Sequence, residues 1–525
     1  MGNTSRATNC RENHAMPTET EYSLADQIAA QIEQYLAESP GAVVIEDGNV
    51  LFDFTSAHYS VSPERQKCVL QIWSDERNIV RRVVGSTIKN DSLRLSVMRM
   101  GQAKPSILEF HVDSDRRTPS ARRVMRAHFQ RLLERMIAKS FPGWTLGKFS
   151  SAADLEKSFG PAYTRGWVRR GQQYFAVLGV SGAETQATID AAVSMAILWL
   201  EHCREKFVGK AVVEGACICV PVERGSAVRL RMGHLDRAAA KWRLFEIEPR
   251  SESMEEIDTN DIGNVSTRLV RCPNTEQVRE RMKASIERVR TLIPQAAIVV
   301  TSAAEISFRL LGLEFARARA GENRGFRVEE KITFGPGAAE IELNDETEPF
   351  FREMIERLLQ TRYRRERNHP LFRMASERWL ESMVQRDVSV IDDRLDPTCV
   401  YAQVPAFAAS DRAMIDLLGV TRQGRLAVIE LKADEDLHLP IQGLDYWARV
   451  RWHHRRGEFQ AHGYFSGREL SQEDPLLILA APSLHLHPTT DKLLRYLSPE
   501  IDWKLVGLDE RWRDGVRVVF RKARS

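Results

Sequence analysis

Apolar residues recur along the chain with two different periods, and the two periods predict different elements. Near the N-terminus they fall at every fourth position: Leu24, Ile28, Ile32 and Leu36. This spacing predicts a helix over residues 23–37. Alternating apolar and polar positions then predict strands up to residue 98, and a second amphipathic helix is predicted over residues 122–140. The N-terminal region is therefore expected to be an α+β domain.

The middle of the chain alternates strand-like and helix-like runs. Apolar strands are predicted over residues 174–180, 212–222 and 242–247, with a buried helix over 187–203 between the first two. Strand–helix–strand order of this kind predicts an α/β unit with a largely buried sheet. This unit contains no glycine-rich phosphate loop, so the sequence assigns it no function.

A less regular region follows. Residues 248–265 are acidic and poor in apolar residues, which predicts a linker or an exposed loop. Beyond it the pattern predicts a charged helix over residues 275–292, strands over 297–301 and 306–310, and a helix over 346–367. This part is expected to be a small α/β segment.

From residue 370 the pattern predicts helix, strand, hairpin, helix, strand, helix and strand in that order. Pro370 and Pro440 each suit the first turn of a helix. The hairpin is predicted at a turn over Thr421–Gly424, where Gly424 supplies a permissive backbone. The chain is thus expected to be an α/β multidomain protein in five segments: 1–22 (disordered tail), 23–145 (basic α+β domain), 146–250 (α/β domain), 251–345 (acidic linker and small α/β segment) and 346–525 (C-terminal domain).

Composition narrows the class of protein. The chain has 525 residues, of which 43% are hydrophobic and 28% charged, as in ordinary globular proteins. No apolar run approaches the ~18 residues that a membrane span needs, and the polar N-terminus lacks the core of an export signal. Seven cysteines without a framework favour a reducing compartment. We therefore expect a cytoplasmic protein that does not bind membranes.

Positive charge is concentrated in one region. Residues 61–150 carry 18 Lys and Arg against 8 Asp and Glu, although the whole chain has a net charge of only +3. Such asymmetry suggests a polyanionic partner, and it is also compatible with a solvated arginine-rich surface. The candidate nucleic-acid contacts in this region are Arg81, Arg82, Arg122, Arg123 and Arg126.

The strongest chemical pattern lies in the C-terminal hairpin. Asp416 is on its first strand, while Glu430 and Lys432 are two residues apart on the second strand and so on one face. Two carboxylates with a lysine are a typical seat for Mg²⁺ or Mn²⁺ beside a phosphate substrate. The alternative is an ordinary cross-strand salt bridge.

The helices on either side of the hairpin add polar residues. On the following helix a polar stripe is predicted through Gln442, Tyr446, Arg449 and His453. On the preceding helix Glu377 and Glu381 are one turn apart.

The ordered set Asp416, Glu430-x-Lys432 and Gln442-x-x-x-Tyr446 resembles the PD-(D/E)XK nuclease superfamily, and in particular its RecB-like branch. The resemblance covers roughly residues 370–510 and implies a restriction-endonuclease-like αβββαβ core. Isoleucine stands where many members have proline before the acid. No clear counterpart exists for the histidine that RecB-like members carry upstream of the hairpin.

The resemblance also implies a role for each residue of the set. Asp416, Glu430 and the carbonyl of Leu431 would bind the metal, and Lys432 would position or activate the attacking water. Gln442 and Tyr446 would hold the substrate or steady the acids. Beyond that set, Glu377 corresponds to an accessory acid, and Arg449 is a further candidate contact to nucleic acid.

These observations predict a metal-dependent nuclease that hydrolyses phosphodiester bonds, most simply those of DNA. The alternative is a non-catalytic nucleic-acid-binding or assembly protein that carries an inactive module. A homodimer or separate partner proteins remain open, and the chain itself contains no ATP-binding motif.

Overall fold

The structure is a computed structural model in which the predicted tail, residues 1–22, falls outside the described residues. The described residues are 24–39, 42–46, 49–54, 57–64, 67–74, 77–89, 92–98, 105–111, 119–154, 157–260, 267–321, 330–335, 341–363, 370–408 and 411–524. The chain divides into two compact units, residues 1–132 and 133–525. Helices and four sheets occur throughout, which confirms the broad α/β class.

The first unit is a seven-stranded antiparallel sheet with helix α1 (Leu24–Glu38) packed on one face. Three residues of the predicted stripe, Ile28, Ile32 and Leu36, are buried among the strands, whereas Leu24 is exposed. The strands are β1 (Val43–Glu46), β2 (Asn49–Asp53), β3 (His58–Glu64), β4 (Lys67–Ser74), β5 (Arg77–Lys89), β6 (Ser92–Met98) and β7 (Ser106–His111). Their order in the sheet is β2-β1-β7-β6-β5-β4-β3. Helix α2 (Pro119–Ser140) contains the division between the units.

The second unit begins with a six-stranded sheet in the order β13-β12-β11-β10-β9-β8. Its strands are β8 (Thr145–Leu146), β9 (Tyr163–Arg170), β10 (Gln173–Val180), β11 (Val212–Pro221), β12 (Lys241–Glu248) and β13 (Ser253–Ile257). The helices are α3 (Gln186–Asp190), α4 (Ala192–Phe207) and α5 (Ser226–Met232). The two central pairings, β10–β11 and β11–β12, are parallel, as the strand–helix–strand pattern predicts.

The prediction of a linker over residues 248–265 is wrong in part. Strand β13 lies within it and pairs antiparallel with β12, with Leu244 opposite Ile257 and Ile247 opposite Met254. Two of its exposed positions are Glu255 and Glu256, so the run looks acidic although Met254 and Ile257 are partly buried. The next strand, β14 (Thr267–Leu269), belongs to a different sheet described below.

A small α+β layer follows. Helices α6 (Thr275–Arg281) and α7 (Lys283–Leu292) pack with α8 (Glu348–Tyr363) on a five-stranded antiparallel sheet. Its strands are β15 (Ala297–Ser302), β16 (Glu305–Leu310), β17 (Leu313–Ala320), β18 (Glu330–Phe334) and β19 (Ile341–Glu342).

The last sheet has the order β14-β20-β21-β22-β23-β24-β25. Its long strands are β20 (Leu395–Ala408), β21 (Asp411–Thr421), β22 (Leu426–Leu431), β23 (Leu476–Pro482), β24 (Trp503–Leu508) and β25 (Val518–Ala523). The helices are α9 (Pro370–Arg373), α10 (Ser376–Arg386), α11 (Leu439–Arg455), α12 (Glu458–Ala461) and α13 (Thr490–Arg495). Strands β20, β21 and β22 are antiparallel in sequence order, whereas β23 joins β22 in parallel after α11.

Helix α11 is buried on both sides, because the six-stranded and last sheets share one hydrophobic core. Its Leu444 and Trp447 belong to the same cluster as Val193 and Ile197 of α4. Backbone hydrogen bonds reinforce the contact, among them Asp236 N–H to the Tyr496 carbonyl at 2.8 Å. The predicted domains 146–250 and 346–525 therefore lie in one compact unit. Among the described helices, none is long and apolar enough to cross a membrane.

The turn that closes the β21–β22 hairpin depends on Gly424. Its φ is +87°, and an added Cβ would lie 2.5 Å from the backbone oxygen of Glu469. We expect Gly424→Ala to lower the free energy of unfolding by roughly 2–4 kcal/mol, from left-handed strain plus steric overlap. Urea denaturation measures the loss. Gly467→Ala is the matched control, since Gly467 has a φ of +77° and open space around it. Equal losses in the two variants would contradict the contact with Glu469.

Candidate functional site

The hairpin of β21 and β22 brings the predicted acids together. Leu417 lies opposite Ile429, so one further step of the same register puts Asp416 opposite Glu430. The backbone N–H of Leu431 donates to Asp416 Oδ2 at 3.0 Å, which ties the acid to the second strand. The structure therefore places Asp416 and Glu430 side by side.

Lys432 lies in a cage of three carboxylates. Its Nζ is 3.5 Å from Glu430 Oε1, 3.6 Å from Glu377 Oε1 and 3.7 Å from Asp436 Oδ2. Burial alone would lower the pKa of the ammonium, but the charges of Glu430, Glu377 and Asp436 outweigh it and raise that pKa. Lys432 therefore stays protonated at neutral pH. The cluster therefore contains the predicted residues Glu430, Lys432 and Glu377, and also Asp436.

Glu430 is the most buried member of the cluster, with its side chain 1% exposed. Its Oε2 is buried and has no hydrogen-bond partner among the described residues. Burial, and then the charge of Asp416, raise the pKa of Glu430 well above its ordinary value. A carboxylate in this position is costly for the fold unless a cation or a proton accompanies it.

Asp416 faces a second cation, Arg378 of α10. Arg378 Nη1 is 3.7 Å from Asp416 Oδ1 and 2.7 Å from Glu381 Oε2. Burial raises the pKa of Glu381 to about 7, and the charge of Asp416 adds to the effect against the opposing pull of Arg378. Gln403 of β20 donates to the same Glu381 oxygen at 2.6 Å.

Negative charge exceeds positive charge around the hairpin end. Among the described side chains, five carboxyl groups, on Glu377, Glu381, Asp416, Glu430 and Asp436, lie near three cations: Lys432 and Arg378, which pair with them, and Arg309, whose charge acts on Glu381. Burial raises the pKa of Glu377, Glu381, Asp416 and Glu430. A structural salt-bridge network would be expected to balance its charges, whereas this one lacks positive charge.

Helix α11 covers the acids from one side. Gly443 allows the close approach, since a Cβ there would lie 2.5 Å from Leu479 Cδ2 and 3.8 Å from Glu430 Cβ. Gln442 Nε2 donates to the Tyr446 hydroxyl at 3.2 Å. Burial, and then the charge of Glu430, raise the pKa of Tyr446, so this hydroxyl remains protonated beside the acids. The predicted Gln442-x-x-x-Tyr446 pair thus lies next to the acid cluster.

The polar stripe predicted on α11 does not continue as a ligand surface. Arg449 is buried, with its side chain 5% exposed, and its Nη2 is 3.1 Å from Asp445 Oδ2. Arg231 of α5 approaches the other oxygen of Asp445 at 3.7 Å. The prediction that Arg449 contacts nucleic acid is therefore wrong: it belongs to a buried ion pair between layers of the second unit.

The candidate arginines of the first unit fall into two groups. Arg81 pairs with the buried Glu46, with Nη2 2.9 Å from Oε2, and this pairing corrects the prediction that Arg81 contacts a phosphate. Arg82, Arg122 and Arg123 are exposed, and Arg126 is half-buried. Arg82, Arg122, Arg123 and Arg126 remain candidate contacts to a polyanion.

Sequence reasoning missed three members of the site, namely Arg378, Gln403 and Asp436. Arg378 lies on α10 and Gln403 on β20, and no local period of the hairpin points to either of them. Asp436 had a detectable signal, because it lies four residues after Lys432 within the acidic run that begins at Asp434.

The donor set fits a hard divalent cation that keeps several of its waters. Among the described residues, no group of three or more His, Cys, Asp or Glu side chains is arranged to enclose a metal by itself. The pair Asp416 and Glu430 offers carboxylate oxygens, one of them without a hydrogen-bond partner. A cavity of about 510 Å³ elsewhere in the unit, at His453 and His462, shares no residue with this cluster.

Comparison with known proteins gives no family for this chain. It matches no family model, and no curated protein matches it significantly. Arguments about function therefore rest on the geometry of the acid cluster.

The buried carboxyl of Glu430 is expected to reduce stability at neutral pH. Because folding raises its pKa, the folded state holds the proton more tightly than the unfolded chain does, so stability falls as pH rises above the ordinary glutamate pKa. Glu430→Gln keeps the shape without the charge. We expect it to be more stable than wild type at pH 8, by on the order of 2 kcal/mol, with the gap closing near pH 5.

Chemical denaturation at both pH values, without divalent cations, measures this difference. Glu435→Gln is the control, since that acid is exposed in the loop after Lys432. A loss of several kcal/mol in Glu430→Gln at both pH values would instead identify Glu430 and Lys432 as a structural ion pair.

Proposed function

We propose that the chain is a divalent-metal-dependent nuclease that hydrolyses phosphodiester bonds of DNA. The observation that carries the proposal is the surplus of buried carboxylates around Lys432, two of them, Asp416 and Glu430, on adjacent strands. The order of elements also supports it: α10, three antiparallel strands, α11 and the parallel strand β23 follow the αβββαβ arrangement of the PD-(D/E)XK resemblance.

Asp416 and Glu430 would hold Mg²⁺ or Mn²⁺, with the carbonyl of Leu431 as the further predicted ligand. The unpartnered Glu430 Oε2 and the raised pKa of both acids fit a group that brings positive charge to this place. When bound, such a cation lowers the pKa of water and offsets negative charge on a phosphate.

Lys432 acts in this proposal as a fixed cation. Three carboxylates hold its ammonium and raise its pKa, which disfavours a role as general base. Its N–H groups can instead orient a water by hydrogen bonds and neutralise charge that develops on phosphorus. Of the two roles that the resemblance implies for Lys432, positioning or activating the attacking water, the raised pKa favours positioning.

The residues around Lys432 divide the remaining work. Glu377 is 47% exposed and lies where a substrate would first meet the cluster. Gln442 and Tyr446, which hydrogen-bond each other, lie near Glu430, and burial together with the charge of Glu430 raises the pKa of the tyrosine. Arg82, Arg122 and Arg123, on the basic first unit, are proposed to hold the DNA backbone.

The second candidate function is non-catalytic binding of nucleic acid, with the hairpin as an inactive module. One observation favours it: Glu430 and Lys432 are both buried, with the lysine side chain 11% exposed. A phosphate would have to approach from the side of Glu377 and Arg378, where exposure is greater.

Metal binding has a readout that does not depend on activity. Mg²⁺ or Mn²⁺ is expected to raise the melting temperature of the wild-type protein at pH 8, because a ligand that binds only the folded state stabilises it. The shift should shrink as pH falls towards 5, since the raised pKa values of Asp416 and Glu430 let protons compete with the cation. Differential scanning fluorimetry measures the shift.

The Asp416→Asn variant should lose this metal-dependent shift, whereas the Glu435→Gln control should keep it. An equal shift in all three proteins would place the cation elsewhere and remove the metal site from the proposal.

Cleavage of DNA tests the function itself. Wild type is expected to cut plasmid or linear DNA with Mg²⁺ or Mn²⁺, and Asp416→Asn and Glu430→Gln should each lower the rate by about 10³-fold or more, because each removes a ligand of the catalytic cation. Gel electrophoresis with circular dichroism of each variant separates lost activity from lost folding. Activity that survives both changes would refute the catalytic role of the hairpin, and binding without cleavage under every condition would favour the second candidate.

A further inference from the structure

A second cation lies at the edge of the acid cluster in a more accessible position than Lys432. The side chain of Arg378 is 39% exposed, against 11% for Lys432. Lys432 contacts three carboxylates, whereas Arg378 contacts two, Glu381 and Asp416, through the single atom Nη1. A phosphate that approached from the exposed side would therefore meet Arg378 before Lys432.

The anchor of Arg378 is itself held in place. Glu381 is buried, and the oxygen that binds Arg378 Nη1 also accepts a hydrogen bond from Gln403 Nε2 at 2.6 Å. Gln403 has a left-handed φ of +55° within β20, a strained conformation for a residue other than glycine. Two separate elements, α10 and β20, thus fix the carboxylate that orients the guanidinium.

The free side of the guanidinium has the geometry of an anion site. Within the described part of the chain, Nε and Nη2 of Arg378 form no hydrogen bond. These two nitrogens form the edge of the fork that matches two oxygens of a phosphate in parallel hydrogen bonds. Nη1, on the other side, is the atom that Glu381 and Asp416 hold.

We propose that Arg378 binds a phosphate of the DNA substrate through Nε and Nη2, and that Glu381 is its positioning residue. The proposal rests on the proposed nuclease function and adds a substrate contact that neither the hairpin motif nor the basic first unit supplies. Because Arg378 is also 3.7 Å from Asp416, the bound phosphate would lie beside the acid pair.

Binding of a labelled DNA oligonucleotide in EDTA tests the contact without any hydrolysis. We expect Arg378→Ala to weaken DNA binding about 10- to 100-fold, the effect of losing a charge-assisted bidentate contact. The slope of the logarithm of the binding constant against the logarithm of the salt concentration should become shallower by about one released ion. Arg378→Lys should recover only part of the loss, since it keeps the charge and loses the fork. Arg386→Ala is the matched control, an exposed arginine at the other end of α10 without an ion pair among the described residues.

Steady-state cleavage by the same proteins gives a second readout. Arg378→Ala should raise KM more than it lowers kcat. Glu381→Gln should likewise raise KM more than it lowers kcat, because Arg378 loses its anchor, with little change in stability, and it should alter the pH profile near neutrality, as the raised pKa of about 7 implies. A residue of merely structural importance would lower the melting temperature and leave the pH profile unchanged.

The outcomes separate this inference from the proposed function. If the wild-type protein binds DNA but never cleaves it, and Arg378→Ala binds DNA more weakly, the contact is supported and the hydrolysis is refuted. If the wild-type protein cleaves DNA, and Arg378→Ala has the same DNA affinity and the same KM, only the contact is refuted. Faster cleavage with tighter Mn²⁺ binding in Arg378→Ala would also overturn it, because Arg378 would then compete with the cation for Asp416. If inorganic phosphate binds through Arg378 but DNA binding does not depend on Arg378, the site belongs to a free anion and the proposal is overturned.

Discussion

The candidate site depends on one electrostatic constraint, the shortage of positive charge in a buried cluster of carboxyl groups. Lys432 and Arg378 each bind more than one acid, and the acids still hold their protons more tightly than in water. Such an arrangement is unfavourable for folding, so it calls for a compensating role. A divalent cation would supply the missing positive charge, and with the acids neutralised the outer guanidinium would be left to bind a phosphate.

The parts of this site that sequence reasoning could predict are those set by neighbouring residues. Period-two alternation puts Glu430 and Lys432 on one face, and a glycine turn sets the register that brings Asp416 opposite Glu430. Helical spacing likewise puts Gln442 beside Tyr446. The helical stripe of α1 and the strands of the parallel sheet follow from the same local periods.

The parts that it missed depend on contacts across long stretches of chain. Gln403 approaches Glu381 from a strand whose backbone is left-handed at that point, and no side-chain pattern announces this bend. Arg449 looks like a surface cation on a helical wheel, yet a second sheet packs over α11 and Asp445 neutralises it there. Arg81 is similar, since its partner Glu46 is 35 positions away along the chain.

The double burial of α11 bears on how this C-terminal region could be inherited or transplanted. A helix whose Trp447 and Leu444 pack against α4 as well as against its own sheet cannot be moved to another protein as a portable cassette. Recombination between residues 250 and 346 would remove the partner of one side of the helix and expose an apolar surface that favours self-association. The two halves of this unit therefore depend on each other to complete a common interior.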